Sequence, residues 1–257
     1  MMLLHGVSKM GEDRISNSIP GVDATSLKGK RQMDEDYIIA SELEGGIEVV
    51  VILDGMGGGA VGDKASENGG KAFLESLKLS DLNSKDSRKT TLNYCVKAAN
   101  MAVEKISNDH QSRSGSTLTS IIFKRAKSGE LEWAELVHMG DTRAYRIRDG
   151  EAKLLTQDHS MTGEMVRAGY IELHQIEETH GKNVLTMSLG GPDELSPQIE
   201  TIELTSGDTI LLCCDGVWGP LHTEKGMWLG TMSSEEITKE ALERGSTDNC
   251  SALFLTL

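Results

Sequence analysis

Two apolar runs in this chain end in the same way. Val49–Leu53 (VVVIL) runs into Asp54-Gly55, and Ile210–Cys214 (ILLCC) runs into Asp215-Gly216. A short apolar run bounded by such a pair reads as a buried strand feeding a loop. A carboxylate at the end of that strand is held rigidly by the sheet. The glycine beside it leaves the backbone open to the close approach of an ion. Asp248, which precedes Asn249 and a last apolar stretch, shares the setting. Carboxylate and carbonyl oxygens are the donors that magnesium and manganese prefer. Any one Asp-Gly pair alone reads better as an ordinary turn; only the three carboxylates together point to a cation site.

The rest of the chain is consistent with one sizeable globular unit. It has 257 residues, 26% of them charged, and only four prolines, none of which marks a linker. The net charge of −14 disfavours nucleic acid and anionic lipid as partners. No apolar stretch is long enough to cross a bilayer, and the opening residues lack the basic region and cleavage site of a signal peptide, so a cytoplasmic monomer is expected. Cys95, Cys213, Cys214 and Cys250 form no C-x-x-C pair and read as buried small hydrophobes in a reducing compartment.

Strand-like runs dominate: Thr117–Phe123, Leu131–Met139, Ala144–Ile147, Ile199–Leu204, Thr209–Cys214 and Ser251–Leu257, besides Val49–Leu53. Helices are expected over Val61–Leu79, over Arg88–Asn108 and, as a short surface piece, over Met161–Ala168. Ser233 three residues before Glu236 is a capping-box pattern opening a helix to Glu243. Neighbouring strands with paired helices, rather than alternating strand and helix, favour antiparallel sheets covered by helices, an α+β sandwich.

Several short motifs then occur in order. They are GKRQMDED (29–36), DGMGGGAVGDKAS (54–66), SGST (114–117), HMGDTRAYRIRDGEAKLLTQDHS (138–160), NVLTMSLGG (183–191), CDGVWGPL (214–221) and STDN (246–249). In this order the set resembles the type-2C metal-dependent serine/threonine protein phosphatases, the PPM family, in its prokaryotic branch. The resemblance runs from about Val22 to the C-terminus, which sets residues 1–20 apart as an extension and 21–257 as a catalytic domain.

The resemblance implies a four-layer α-β-β-α sandwich with a two-metal site at one end, holding Mn2+ or Mg2+. It implies that Asp54 bridges both ions, that Asp215 and Asp248 complete the first ion's shell, and that the Gly55 carbonyl and Glu35 serve the second ion. Arg31 matches the family's phosphate-binding arginine, and a guanidinium suits phosphate geometrically. On its own, Arg31 reads equally as a surface partner of Asp34, Glu35 or Asp36. The expected chemistry is in-line attack on phosphorus by a water whose pKa two ions, roughly 3.5–4 Å apart, have lowered. The substrates would be phosphoproteins, targets of a serine/threonine kinase. Met56 cannot donate a proton, so a metal-bound water is the expected acid for the leaving group.

Some positions depart from the family pattern. Two third-ion aspartates are replaced by Ser112 and Gly219, so a third ion is expected to be absent, weak or held by something else such as Asp109. A catalytically weak or inactive binding module is therefore the alternative reading. The same fold could also act on one regulator of transcription rather than on kinase targets broadly. Asp141 and Arg143 read as a pair fixing a turn, Asp158 and His159 as buried hydrogen-bonding residues, and His174 and His180 as exposed. Met161–Gly181 resembles the family's mobile flap beside the substrate groove.

Overall fold

The computed structural model describes residues 14–57, 61–191, 195–221 and 232–257. Twelve strands among these residues form two sheets. The larger holds β1 (Ile15–Asn17), β3 (Asp36–Leu43), β4 (Ile47–Gly57), β6 (Leu118–Arg125), β7 (Leu131–Met139) and β10 (Gln198–Thr201), in that order, with β5 (Ser114–Ser116) added to the end of β4. The smaller runs β2 (Val22–Leu27), β12 (Cys250–Thr256), β11 (Thr209–Cys213), β8 (Arg143–Arg148), β9 (Glu151–Leu154). All pairings are antiparallel except β1 with β3.

The unbroken apolar character of β4 follows from its place in the stack. Successive side chains of a strand point to opposite faces, and here both faces are dry. Val50 and Ile52 enter the core between the sheets, with Ile121, Phe123, Leu211 and Leu253. Val49, Val51 and Leu53 enter a second core beneath α1 (Gly62–Lys78) and α2 (Lys85–His110), with Phe73, Leu77, Leu92 and Val96. Full burial of each such side chain stabilises the fold by roughly 1.5–3 kcal/mol relative to exposure. On the far side, α5 (Ser234–Glu243) packs Ile237 and Ala241 against the smaller sheet. Its expected capping box is present: Ser233 Oγ accepts from Glu236 N at 3.2 Å, and Glu236 Oε2 accepts from Ser233 N at 2.8 Å. The result is the expected α-β-β-α sandwich. All four cysteines are free and buried.

Three shorter helices join these elements among the described residues. α3 (Met161–Arg167) and a following 3-10 helix (Leu173–Glu178) make the surface excursion, and α4 (Asp215–Trp218) follows β11 directly. Residues 1–13 of the expected extension lie outside the described residues; β1, within 1–20, adds to the edge of the larger sheet.

Candidate active site

β4 and β11 point their C-terminal ends toward the same end of the sandwich, where a cleft of about 210 Å3 opens. Arg31, Glu35, Asp54, Gly55, Asp215 and Asp248 all line it, as do Met56, Asp141 and Asn183. Residues 217 apart in the chain thus come within hydrogen-bonding distance: Arg31 Nη2 donates to Asp248 Oδ2 at 2.6 Å.

The glycines serve this convergence differently from the sequence expectation. A Cβ on Gly55 would lie 2.1 Å from the Gly62 carbonyl, and one on Gly216 would lie 1.9 Å from the Asn249 carbonyl. Both positions are crossing points of backbone, so no side chain fits there. Their glycines bring α1 and the Asp248 loop against the strand ends. Asn249 completes the knot. Its Oδ1 accepts from Glu35 N at 3.0 Å, and its Nδ2 donates to the carbonyls of Lys28 and Met33 at 2.8 and 2.9 Å. Asn249 therefore ties the loop carrying Arg31 and Glu35 to Asp248, a role that its sequence neighbours do not announce. Thr117 Oγ1 accepts from Asp54 N at 2.8 Å and fixes the strand end.

The cleft is short of positive charge. Burial pushes the Asp54 carboxyl well above the usual carboxylate range, and Asp36, Asp215, Asp141 and Asp248 push it the same way. Asp215 is pushed up to about 6 by burial and then by Asp248 and Glu177. Asp141 is raised by burial and by Asp215. Asp215 Oδ1 in the cleft is buried without a hydrogen-bond partner, as are both carboxylate oxygens of Asp36, which does not line the cleft. Such orphaned oxygens are costly unless protonated or bound to a cation. Among the described residues no three His, Cys, Asp or Glu side chains are placed, as they stand, to hold one metal ion together. Arg31 draws Asp248 to itself, and the remaining acids repel one another. An all-oxygen set of this kind, with unsatisfied buried oxygens, fits hard divalent cations.

Two expectations change. Arg143 does not pair with Asp141. It is buried and grips Asp158 with Nε and Nη2, the shorter contact being 2.7 Å, while its guanidinium stacks 3.5 Å from the Trp218 ring centroid. Asp141 is left free to face the cleft, and its carbonyl accepts from Trp218 Nε1 at 2.9 Å. Asp109, suggested as a substitute ligand, pairs with Lys105 on the exposed face of α2 and lies outside the cleft lining. Asp158 is buried, and His174 and His180 are exposed, as expected; His159 is only half-buried, with Nδ1 accepting from Gly140 N at 3.3 Å. Beyond the excursion, Asn183 and Leu185 border the cleft.

Residues 25–249 match the family model described as Protein phosphatase 2C. The chain belongs to this family. Protein phosphatase PhpP of Streptococcus pneumoniae is 28% identical over 197 residues, covering 75% of this chain and 76% of that protein. The crystal structure of the serine/threonine phosphatase PstP/Ppp of Mycobacterium tuberculosis superposes with a TM-score of 0.77 at 26% identity, over 92% of this chain and 97% of that one. The catalytic domain of PstP in complex with two manganese ions aligns with a TM-score of 0.68 at 27% identity, over 91% and 96% of the two chains. As a protein phosphatase 2C, the chain is an enzyme, a serine/threonine protein phosphatase of prokaryotic type.

Proposed function

We propose that this cleft hydrolyses phosphoserine and phosphothreonine in proteins with two divalent cations, manganese or magnesium. The observation that carries the reading is the convergence of Asp54, Asp215 and Asp248 with Arg31 on one cleft. A relative that holds two manganese ions supports the number of ions.

Asp54, Asp215, Asp248, Glu35 and the Gly55 carbonyl, all on the cleft lining, are the groups that would hold the ions. When bound, the ions supply Lewis acidity that acidifies the attacking water and offsets charge on the phosphoryl oxygens. Arg31, half-exposed at the cleft mouth, binds the phosphoryl group with two parallel N–H donors and orients phosphorus. Its link to Asp248 keeps the guanidinium aimed inward before substrate arrives. Asp141 adds a further buried carboxyl facing Asp215, which makes the floor more acidic still. Met56, also on the wall, carries no proton to give.

No helix among the described residues is long and apolar enough to cross a membrane. We infer a cytoplasmic monomer that opposes a serine/threonine kinase. The retained Arg31 and acidic set argue against a binding-only module. Hydrolysis of p-nitrophenyl phosphate with manganese, with and without chelator, tests the reading alongside Asp215→Asn. Turnover that chelator abolishes and that the variant lacks is the expected result. Chelator-insensitive turnover, or none at all, contradicts it.

A further inference from the structure

Arg14 lies ahead of the matched family region, yet it is among the most heavily bonded side chains in the molecule. Its Nε donates to the Asp36 carbonyl at 2.8 Å. Its Nη2 donates to the Asp63 carbonyl at 2.9 Å and to Ser66 Oγ at 2.8 Å. Its Nη1 donates to Glu67 Oε2 at 3.2 Å. The guanidinium also sits 5.1 Å from the Tyr37 ring centroid. Only a planar fork reaches a strand carbonyl on one edge and the first turn of a helix on the other.

What Arg14 holds matters for the cleft. Ser66 Oγ, fully buried, donates to the Glu35 carbonyl at 2.6 Å. A hydroxyl has one proton and two acceptor sites. With Arg14 donating into that oxygen, the single proton is directed to Glu35, the shorter of its two contacts; the Asp63 carbonyl stands 3.1 Å away. Glu35 O also accepts from Gly55 N at 3.0 Å. Arg14 thereby ties the Glu35–Asp36 peptide to the start of α1 and to the strand end that carries Asp54. The Glu35 carboxylate itself lies over Gly62, the first residue of α1, where an added Cβ would be 2.3 Å from Oε1.

We propose that Arg14 is a positioning residue for the metal site: through Ser66 it fixes the Glu35 backbone, and with it the carboxylate proposed to serve the second ion. The inference rests on the metal-dependent reading of the cleft. It gives the segment before residue 20 a function that the fold alone does not require. Outer residues that orient metal ligands typically change affinity by about 10–100-fold.

The test is a Mn2+ titration of the full chain, followed by the electron paramagnetic resonance signal of free Mn2+. The proteins are wild type, Arg14→Ala, Arg14→Lys, Ser66→Ala and Arg125→Ala, each also melted thermally in chelator. Arg125 pairs with Glu48 at 3.0 Å near the opposite end of β4, so its loss controls for stability alone. Arg14→Ala and Ser66→Ala are expected to weaken one of two Mn2+ sites by about tenfold or more. Arg14→Lys, which keeps the charge and loses the fork, is not expected to restore it, and Arg125→Ala is expected to bind as wild type does. The proposal is overturned if Arg14→Ala lowers the melting temperature yet binds Mn2+ as tightly as wild type, or if Arg14→Lys rescues fully. Wild type that binds no Mn2+ would instead bring down the reading of the cleft, and this proposal with it.

Discussion

Two groups of buried charge lie a few residues apart in this sandwich, and they are opposites. Around Arg143 every charge has an answer: Asp158 takes two guanidinium nitrogens, Tyr145 lies 3.4 Å from a third, and Trp218 covers the face. At the cleft, Asp54, Asp141 and Asp215 face one another, with Arg31 engaged at the rim by Asp248. A group that is complete in itself holds the fold, and one that lacks cations is prepared to take them. Functional sites are where local electrostatic rules are broken and the cost is met elsewhere in the structure.

The sharpest way to break this contrast is to remove charge from each group. Asp215→Asn should abolish chelator-sensitive phosphate release, a loss of at least about a hundredfold since even outer residues reach that. It should also raise the melting temperature in chelator, because it relieves repulsion and desolvation. Arg143→Ala should do the reverse of that second effect. Leaving Asp158 buried and uncompensated should cost about 3–5 kcal/mol in urea denaturation. If both variants are destabilised alike, the distinction between the groups is wrong. Arg31→Lys keeps a charge and loses the fork, so kcat/KM on a phosphopeptide should fall about tenfold or more, in line with ~1.5 kcal/mol for a charged hydrogen bond.

Acid should wear at the complete group. His138, stacked on His159 at 5.0 Å, accepts from Thr119 Oγ1 through Nδ1 and donates from Nε2 to the Gln157 carbonyl. Burial, and then His159, lower its pKa from the ordinary 6.5 to about 3. The folded state holds it neutral, so its contribution is whole above pH 6.5 and is lost as pH falls toward 3. The stability gap between wild type and His138→Gln should therefore narrow between pH 6.5 and 4 in urea titrations; a constant gap contradicts the assignment. Least of all, Asp109→Asn should leave Mn2+ binding unchanged and stability within about 0.5 kcal/mol, as an exposed pair with Lys105 allows.

Much of this was legible in the chain. The strand ends at Asp54 and Asp215 and the capping box at Ser233 carry their structure in local pattern, and the cleft gathers every side chain expected there. Other features were not. β3 has the apolar stretch Tyr37–Ala40, but it opens on Asp36, just after Asp34 and Glu35, and no local pattern signals that Asp36 is fully buried. β1 is three residues long and parallel to β3, a pairing fixed by distant packing. Asp141 and Arg143 look paired because they are close in sequence, yet the partner that matters sits fifteen residues on. Asn249 spends its amide on two carbonyls more than 200 residues away, a contact only the fold creates.

The most direct test is a crystal of the full chain soaked in manganese, read by anomalous scattering. The account expects two peaks in the cleft, both touching Asp54, one also touching Asp215 and Asp248. A cleft without manganese, or ions bound only elsewhere on this acidic surface, would contradict it.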